Sequence, residues 1–181
     1  MAINSCTADF EAGTNGSTIA TTDAGSATPW DAVVIGTGAS VKYDTTHVHG
    51  GSLAAKIAIA ATAGASHLDW QSAHLGTLNT NDVGYFRAYF YLPGGNPAAA
   101  WTLVVGRQAT NTPYRIRINT SGKIEILDST NTVKATSTTS VPASAGWVRI
   151  EWQVTQNSTV GGVVARLYFT NADAASGSQD E

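Results

Sequence analysis

Val83-Gly84-Tyr85-Phe86-Arg87-Ala88-Tyr89-Phe90-Tyr91-Leu92 alternates along its whole length. Phe86, Ala88, Phe90 and Leu92 share one face; Tyr85, Arg87, Tyr89 and Tyr91 share the other. Successive strand residues point to opposite sides of a sheet, so a period of two means a half-buried strand. A helix has a period of 3.6 and would mix the two sets.

Two later stretches repeat the pattern. In residues 147–154, Val148, Ile150, Trp152 and Val154 oppose Trp147, Arg149, Glu151 and Gln153. In residues 163–169, Val163, Ala165, Leu167 and Phe169 oppose Val164, Arg166 and Tyr168. Shorter strands are expected at 4–10, 32–35, 40–43, 53–60, 67–71, 101–107, 114–119, 123–127 and 132–136. Turn residues separate them: Asn15-Gly16, Gly94-Gly95-Asn96-Pro97, Thr120-Ser121-Gly122 and Asp128-Ser129-Thr130-Asn131. The alanines of 58–65 favour helix, but Gly64 and the β-branched Ile57, Ile59 and Thr62 oppose it. About a dozen short strands without helices predict an all-β, two-sheet antiparallel sandwich.

The chain has 181 residues, which suits one domain, expected over 1–171 and followed by a polar tail, 172–181, that reads as a disordered end or a cut linker. Charged residues make up only 13%, so Ser, Thr, Asn, Gly and Ala must carry the surface. A net charge of -3 gives no electrostatic reason to expect nucleic acid or an anionic membrane as partner. Cys6 is the only cysteine, which excludes an internal disulfide and suggests a small buried residue. The start shows neither a basic n-region nor an apolar h-region, so the chain reads as made in the cytoplasm.

From Gly84 onward the motifs come in a recognisable order. The aromatic strand is followed by Leu103-Val104-Val105-Gly106, by a hairpin running from Tyr114 through Ser121-Gly122-Lys123 to Leu127, by Gly146-Trp147-Val148-Arg149-Ile150-Glu151-Trp152, and by Ala165-Arg166-Leu167-Tyr168-Phe169. This succession resembles the laminin-G-like branch of the concanavalin A-like lectin/glucanase superfamily. Upstream, His49-Gly50-Gly51-Ser52-Leu53 resembles the turn that opens a strand in many carbohydrate-binding jelly rolls. Asp9-Phe10-Glu11-Ala12-Gly13 and the Ala/Thr-rich style resemble domains of phage tail and other virion proteins. The resemblance spans roughly 9–173 and implies a jelly-roll sandwich with ligands on a concave sheet or its rim. In that superfamily a closing strand follows the Arg-Leu-Tyr strand; here a polar tail follows, which leaves an edge for a neighbouring chain to cover. A virion location also reconciles a missing leader with a surface of extracellular style; an extracellular location is the alternative.

Glycoside hydrolysis needs two carboxylates across one sugar bond. The glucanase pattern of Glu, Asp and Glu at alternate strand positions is absent. Glu125 and Asp128 fall on opposite faces, Asp9 and Glu11 share a face but lack a third partner, and Glu151 lies beside Arg149 in an arrangement that favours a plain ion pair. His47 and His49, two apart with Asp44 nearby, could hold zinc or iron but read better as a histidine-bearing loop. His67 and His74 are too far apart to act as a pair. The resemblance implies calcium for some relatives, yet no dense Asp loop appears here. No cofactor and no catalytic residue are therefore expected. Trp70 and Trp101 read as core or rim residues, and Trp30 as the most exposed of the lone tryptophans. The sequons at Asn15, Asn119 and Asn157 carry no weight in so Ser/Thr-rich a chain.

One feature supports binding. Tyr85, Arg87, Tyr89, Tyr91, Arg149, Glu151, Gln153, Arg166 and Tyr168 all oppose the apolar residues of their strands. On neighbouring strands they would make one aromatic and charged surface. Such a surface suits a glycan, a protein interface, or a sheet covered by its own side-chain stems. The expected function is a non-catalytic structural or adhesion module of a phage virion, in the tail or on the capsid surface. Its partners would be itself or other virion proteins, and host-surface glycans. The alternative is a carbohydrate-binding module of a bacterial extracellular protein.

Overall fold

The computed structural model describes residues 5–22, 28–59, 65–71, 73–108, 111–157, 161–175 and 177–181. Among these residues the fold is all-β: every strand pairing is antiparallel and there is no helix. The chain divides into two compact units, Met1–Asp82 and Val83–Glu181.

The first unit contains β1 (Ala32–Val34), β2 (Ser40–Asp44), β3 (Ala54–Ala58) and β4 (His67–Asp69). They form two hairpin-sized sheets, β1 with β4 and β2 with β3. Ile19, Trp30, Val41, Tyr43 and Leu53 make its core, where full burial of each such side chain contributes about 1.5–3 kcal/mol. Trp30 corrects the reading of an exposed loop tryptophan: it is 8% exposed. It stacks between Phe10 (5.8 Å) and Trp70 (4.5 Å). The strand expected at 4–10 does not form over its described part, 5–10. Phe10 has φ 61, in the left-handed region, which no extended run accommodates. Glu11 then anchors a loop distant in sequence, accepting the N–H groups of Ser52 (2.8 Å) and Leu53 (3.0 Å). Gly51, at φ +77, lets that carboxylate approach; a Cβ there would lie 2.3 Å from Glu11 Oε1. Residue 4 and the Ala-rich run 60–64 lie outside the described residues.

The second unit contains β5 (Val83–Leu92), β6 (Trp101–Gln108), β7 (Asn111–Ile118), β8 (Lys123–Asp128), β9 (Val133–Ser140), β10 (Gly146–Thr155) and β11 (Gly162–Tyr168). One sheet has the order β11-β10-β5 and the other β6-β7-β8-β9. Their apolar faces meet. Ile116, Ile118 and Ile124 come from one sheet, and Val148, Ile150 and Leu167 from the other, all nearly fully buried. Trp152 Nε1–H donates to the Tyr114 hydroxyl oxygen across the gap (3.1 Å), and Phe86 stacks on the Trp152 ring (5.3 Å). The Tyr114 ring lies directly over Gly106, where a Cβ would stand 2.0 Å away.

The tail, expected as a disordered end or a cut linker, is hydrogen-bonded to β11 at Asp180 and Glu181. Leu167 N–H donates to Glu181 O (2.7 Å), and Asp180 N–H donates back to Leu167 O (2.8 Å). Leu167 is opposite Ile150 in the ladder, and its backbone groups face away from β10, so the tail fills the vacant edge of β11. The Asp180 carboxylate accepts the N–H groups of Phe169 (2.5 Å) and Thr170 (2.8 Å).

Candidate functional site: the outer face of β5, β10 and β11

The register places the predicted residues in rows. Tyr85, Gln153 and Val164 form one row; Arg87, Glu151 and Arg166 the next; Tyr89, Arg149 and Tyr168 the third. Tyr91 begins a fourth with Trp147, meeting it edge to face at 5.7 Å. All nine predicted residues therefore lie on one side of one sheet.

They are not equally accessible. Tyr85 is 74% exposed, Arg87 and Arg166 are exposed, and Tyr89, Tyr91, Glu151 and Gln153 are half-buried. Arg149 and Tyr168 are 3% and 1% exposed, so they are supports of the face rather than contact residues. The cover is the segment after β11. Arg149 Nη1 donates to Ala172 O (2.8 Å) and Nη2 to Ala174 O (2.6 Å), while Gly177 N–H reaches the Tyr168 hydroxyl (3.4 Å). The sequence showed which way Arg149 points, but not that a later segment would fold over it.

Glu151 is held on several sides. It accepts from Arg87 Nε (2.8 Å) and Tyr168 Oη (3.1 Å), and Arg149 Nε is 3.4 Å away. Burial raises the Glu151 pKa, but the Arg87 and Tyr168 hydrogen bonds and the two arginine charges outweigh it and hold the carboxyl below its usual range. Glu151 is thus ionised at neutral pH. It is the sole carboxylate among the outward residues of these three strands, whereas glycoside hydrolysis uses two. The exposed Tyr85 ring stands on this face in the row of Gln153, with Arg87 and Arg166 in the next row.

The other candidates are occupied in place. Glu125 accepts from Arg117 Nε (2.6 Å) and Asn119 Nδ2 (2.8 Å). Asp128 ties its own turn, accepting Thr130 N–H (2.9 Å) and Thr132 N–H (3.0 Å) and pairing with Lys134 (2.9 Å). Three of the histidines sit beside separate aspartates: His47 near Asp44 (3.5 Å), His67 near Asp69 (3.3 Å) and His74 near Asp31 (2.7 Å). Among the described residues no three His, Cys, Asp or Glu side chains gather as a metal site. Cys6 is half-buried, and burial pushes its thiol pKa up, away from the reactive thiolate.

Comparison with family models, curated proteins and solved structures returns no match.

The sequence reading missed Asp180 and Glu181. The Glu181 carboxylate accepts Thr138 N–H (2.7 Å) and Thr139 N–H (3.0 Å) on the edge of β9. The only signal in the sequence was two adjacent carboxylates in a tail otherwise short of charge.

Proposed function

We propose that this chain is a non-catalytic structural or adhesion module of a virion, built as a laminin-G/concanavalin-like jelly roll, that touches host-surface glycans with the open end of its outer sheet face. The observation that carries the binding part is Tyr85: a large aromatic ring 74% exposed on a regular strand. Gln153 and Val164 share its row, and Arg87 and Arg166 occupy the next. Aromatic faces pack on sugar C–H groups while amide and guanidinium groups bond hydroxyls. The ionised, saturated Glu151 supports recognition over catalysis. The virion setting is supported by the sequence resemblance.

The test is a glycan array read with the wild type and Tyr85→Ala. A glycan bound by the wild type and lost in the variant supports the reading. Binding that is unchanged in the variant, or absent across the array, overturns it. A defined oligomer in light scattering favours the virion module; a glycan-binding monomer favours an extracellular carbohydrate-binding module.

A further inference from the structure

The segment 178–181 is held in an unusual way. Its own residues are polar: Ser178, Gln179 and Asp180 are exposed, and Glu181 is half-buried. It brings no apolar side chain to the fold. Three backbone hydrogen bonds to Leu167 and two carboxylate clasps hold it: Asp180 on Phe169 and Thr170, and Glu181 on Thr138 and Thr139. Thr170 Oγ1 adds a hydrogen bond to Asp180 Oδ1 (2.7 Å), and Lys123 contributes a favourable charge near Glu181. Water can replace each of these polar contacts, so they oppose detachment only weakly.

What lies beneath is different. Between β8, β9 and β11 is a partly open cleft of about 90 Å³, lined mainly by Ile124, Ile126, Ala135, Ala165 and Leu167, with Thr136, Ser137 and Glu181 completing it. Lifting the segment would bare this apolar floor and two strand edges. The N–H and C=O of Leu167 would lie on one side, and the N–H groups of Thr138 and Thr139 on the other. Unpaired edges beside apolar surface are templates for another strand.

We propose that 178–181 is an exchangeable closing segment, and that the groove it fills between the edges of β9 and β11 also accepts the same segment from a second copy of this chain. The groove already fits this sequence, so the exchanged contacts are identical to the internal ones and only the connection changes. That connection, Ala175-Ser176-Gly177-Ser178, is small-residued, and Gly177 stands at φ +97, a conformation that releases easily to others. Reciprocal exchange gives a closed two-fold pair, in which each copy seals the other. The proposal does not depend on glycan binding, which Tyr85→Ala tests separately.

The experiment uses the full chain. A fluorescent peptide of residues 172–181 is titrated into the wild type and into the double variant Asp180→Ala/Glu181→Ala, whose own segment has lost both clasps. Saturable binding to the variant is expected, at least tenfold tighter than to the wild type, whose groove is filled. The same peptide with Asn and Gln at the two clasp positions should bind at least tenfold more weakly. No binding to a variant that keeps the wild-type near-UV circular dichroism overturns the proposal. Should the variant fail to fold, hydrogen exchange of the wild type decides. The amides of Thr138, Thr139, Phe169 and Thr170 should exchange together and well ahead of Ile116 and Ile150; exchange as slow as the core's overturns the proposal. Wild-type mass by light scattering should rise from one chain toward two with concentration and fall back when excess peptide is added. A mass of one chain at every concentration overturns the exchange between copies.

Discussion

The guanidinium carbon of Arg149 lies 3.6 Å from the centroid of the Tyr168 ring, and both side chains are almost fully buried. Tyr89 flanks the same charge at 6.0 Å. An arginine on the outward side of a strand has thus become an interior residue. Aromatic faces, the Glu151 charge and two tail carbonyls replace its water.

Arg149→Lys tests that arrangement. An ammonium cannot stack flat on Tyr168 or reach two carbonyls with a rigid fork. A loss of about 2–4 kcal/mol in denaturant unfolding is expected, as for a broken buried charge network. An unchanged midpoint would show that the fork and the stacking contribute nothing.

Tyr85→Ala should leave stability within about 0.5 kcal/mol, because the ring is mostly in solvent. Glycan binding should fall at least tenfold in the same sample. Tyr85→Phe should retain most of it, since the ring face is what packs on the sugar. Thermal melts and array titrations check the two halves separately.

Acid should unfold the second unit. Glu125, Glu151, Asp180 and Glu181 all have pKa values below their ordinary range. For Glu125, Glu151 and Glu181, burial opposes this but hydrogen bonds and neighbouring cations outweigh it; for Asp180 the Thr170 hydrogen bonds lead. Groups with depressed folded values stabilise the fold above their unfolded pKa, about 4. That contribution is lost as pH falls through the folded values. Unfolding free energy should therefore be flat near neutrality and fall below about pH 4. Glu181→Gln should flatten the acid limb, because its clasp no longer titrates.

Gly106→Ala should destabilise by about 1–3 kcal/mol, since its methyl would overlap the Tyr114 ring and the ring is wedged between the sheets. Tyr114→Phe should cost about 1–2 kcal/mol by removing the acceptor of the Trp152 indole. Near-UV circular dichroism should report the loosened Trp152 in both variants.

Where apolar and polar residues alternated without interruption, the strands were legible. The strand read from 83 to 92 is found at Val83–Leu92, and that read at 147–154 at Gly146–Thr155. The Ser121-Gly122 hairpin joins Ile118 to Ile124 in register. Legibility ended where the backbone departs from its average. Residues 5–10 looked extended from composition, but the left-handed Phe10 and the Glu11 anchor are demands of a loop distant in sequence.

The sequence alone determined an all-β antiparallel fold and the side of the sheet on which Tyr85, Arg87, Glu151 and their neighbours stand, because the two-residue period is a local property of the backbone. Only the tertiary structure decided that Tyr85 stays in solvent while Arg149 and Tyr168 are sealed, that Trp30 is interior, and that Asp180 and Glu181 close an edge. Those outcomes depend on which distant segment arrives to cover a given surface, and no periodicity within a strand encodes that arrival.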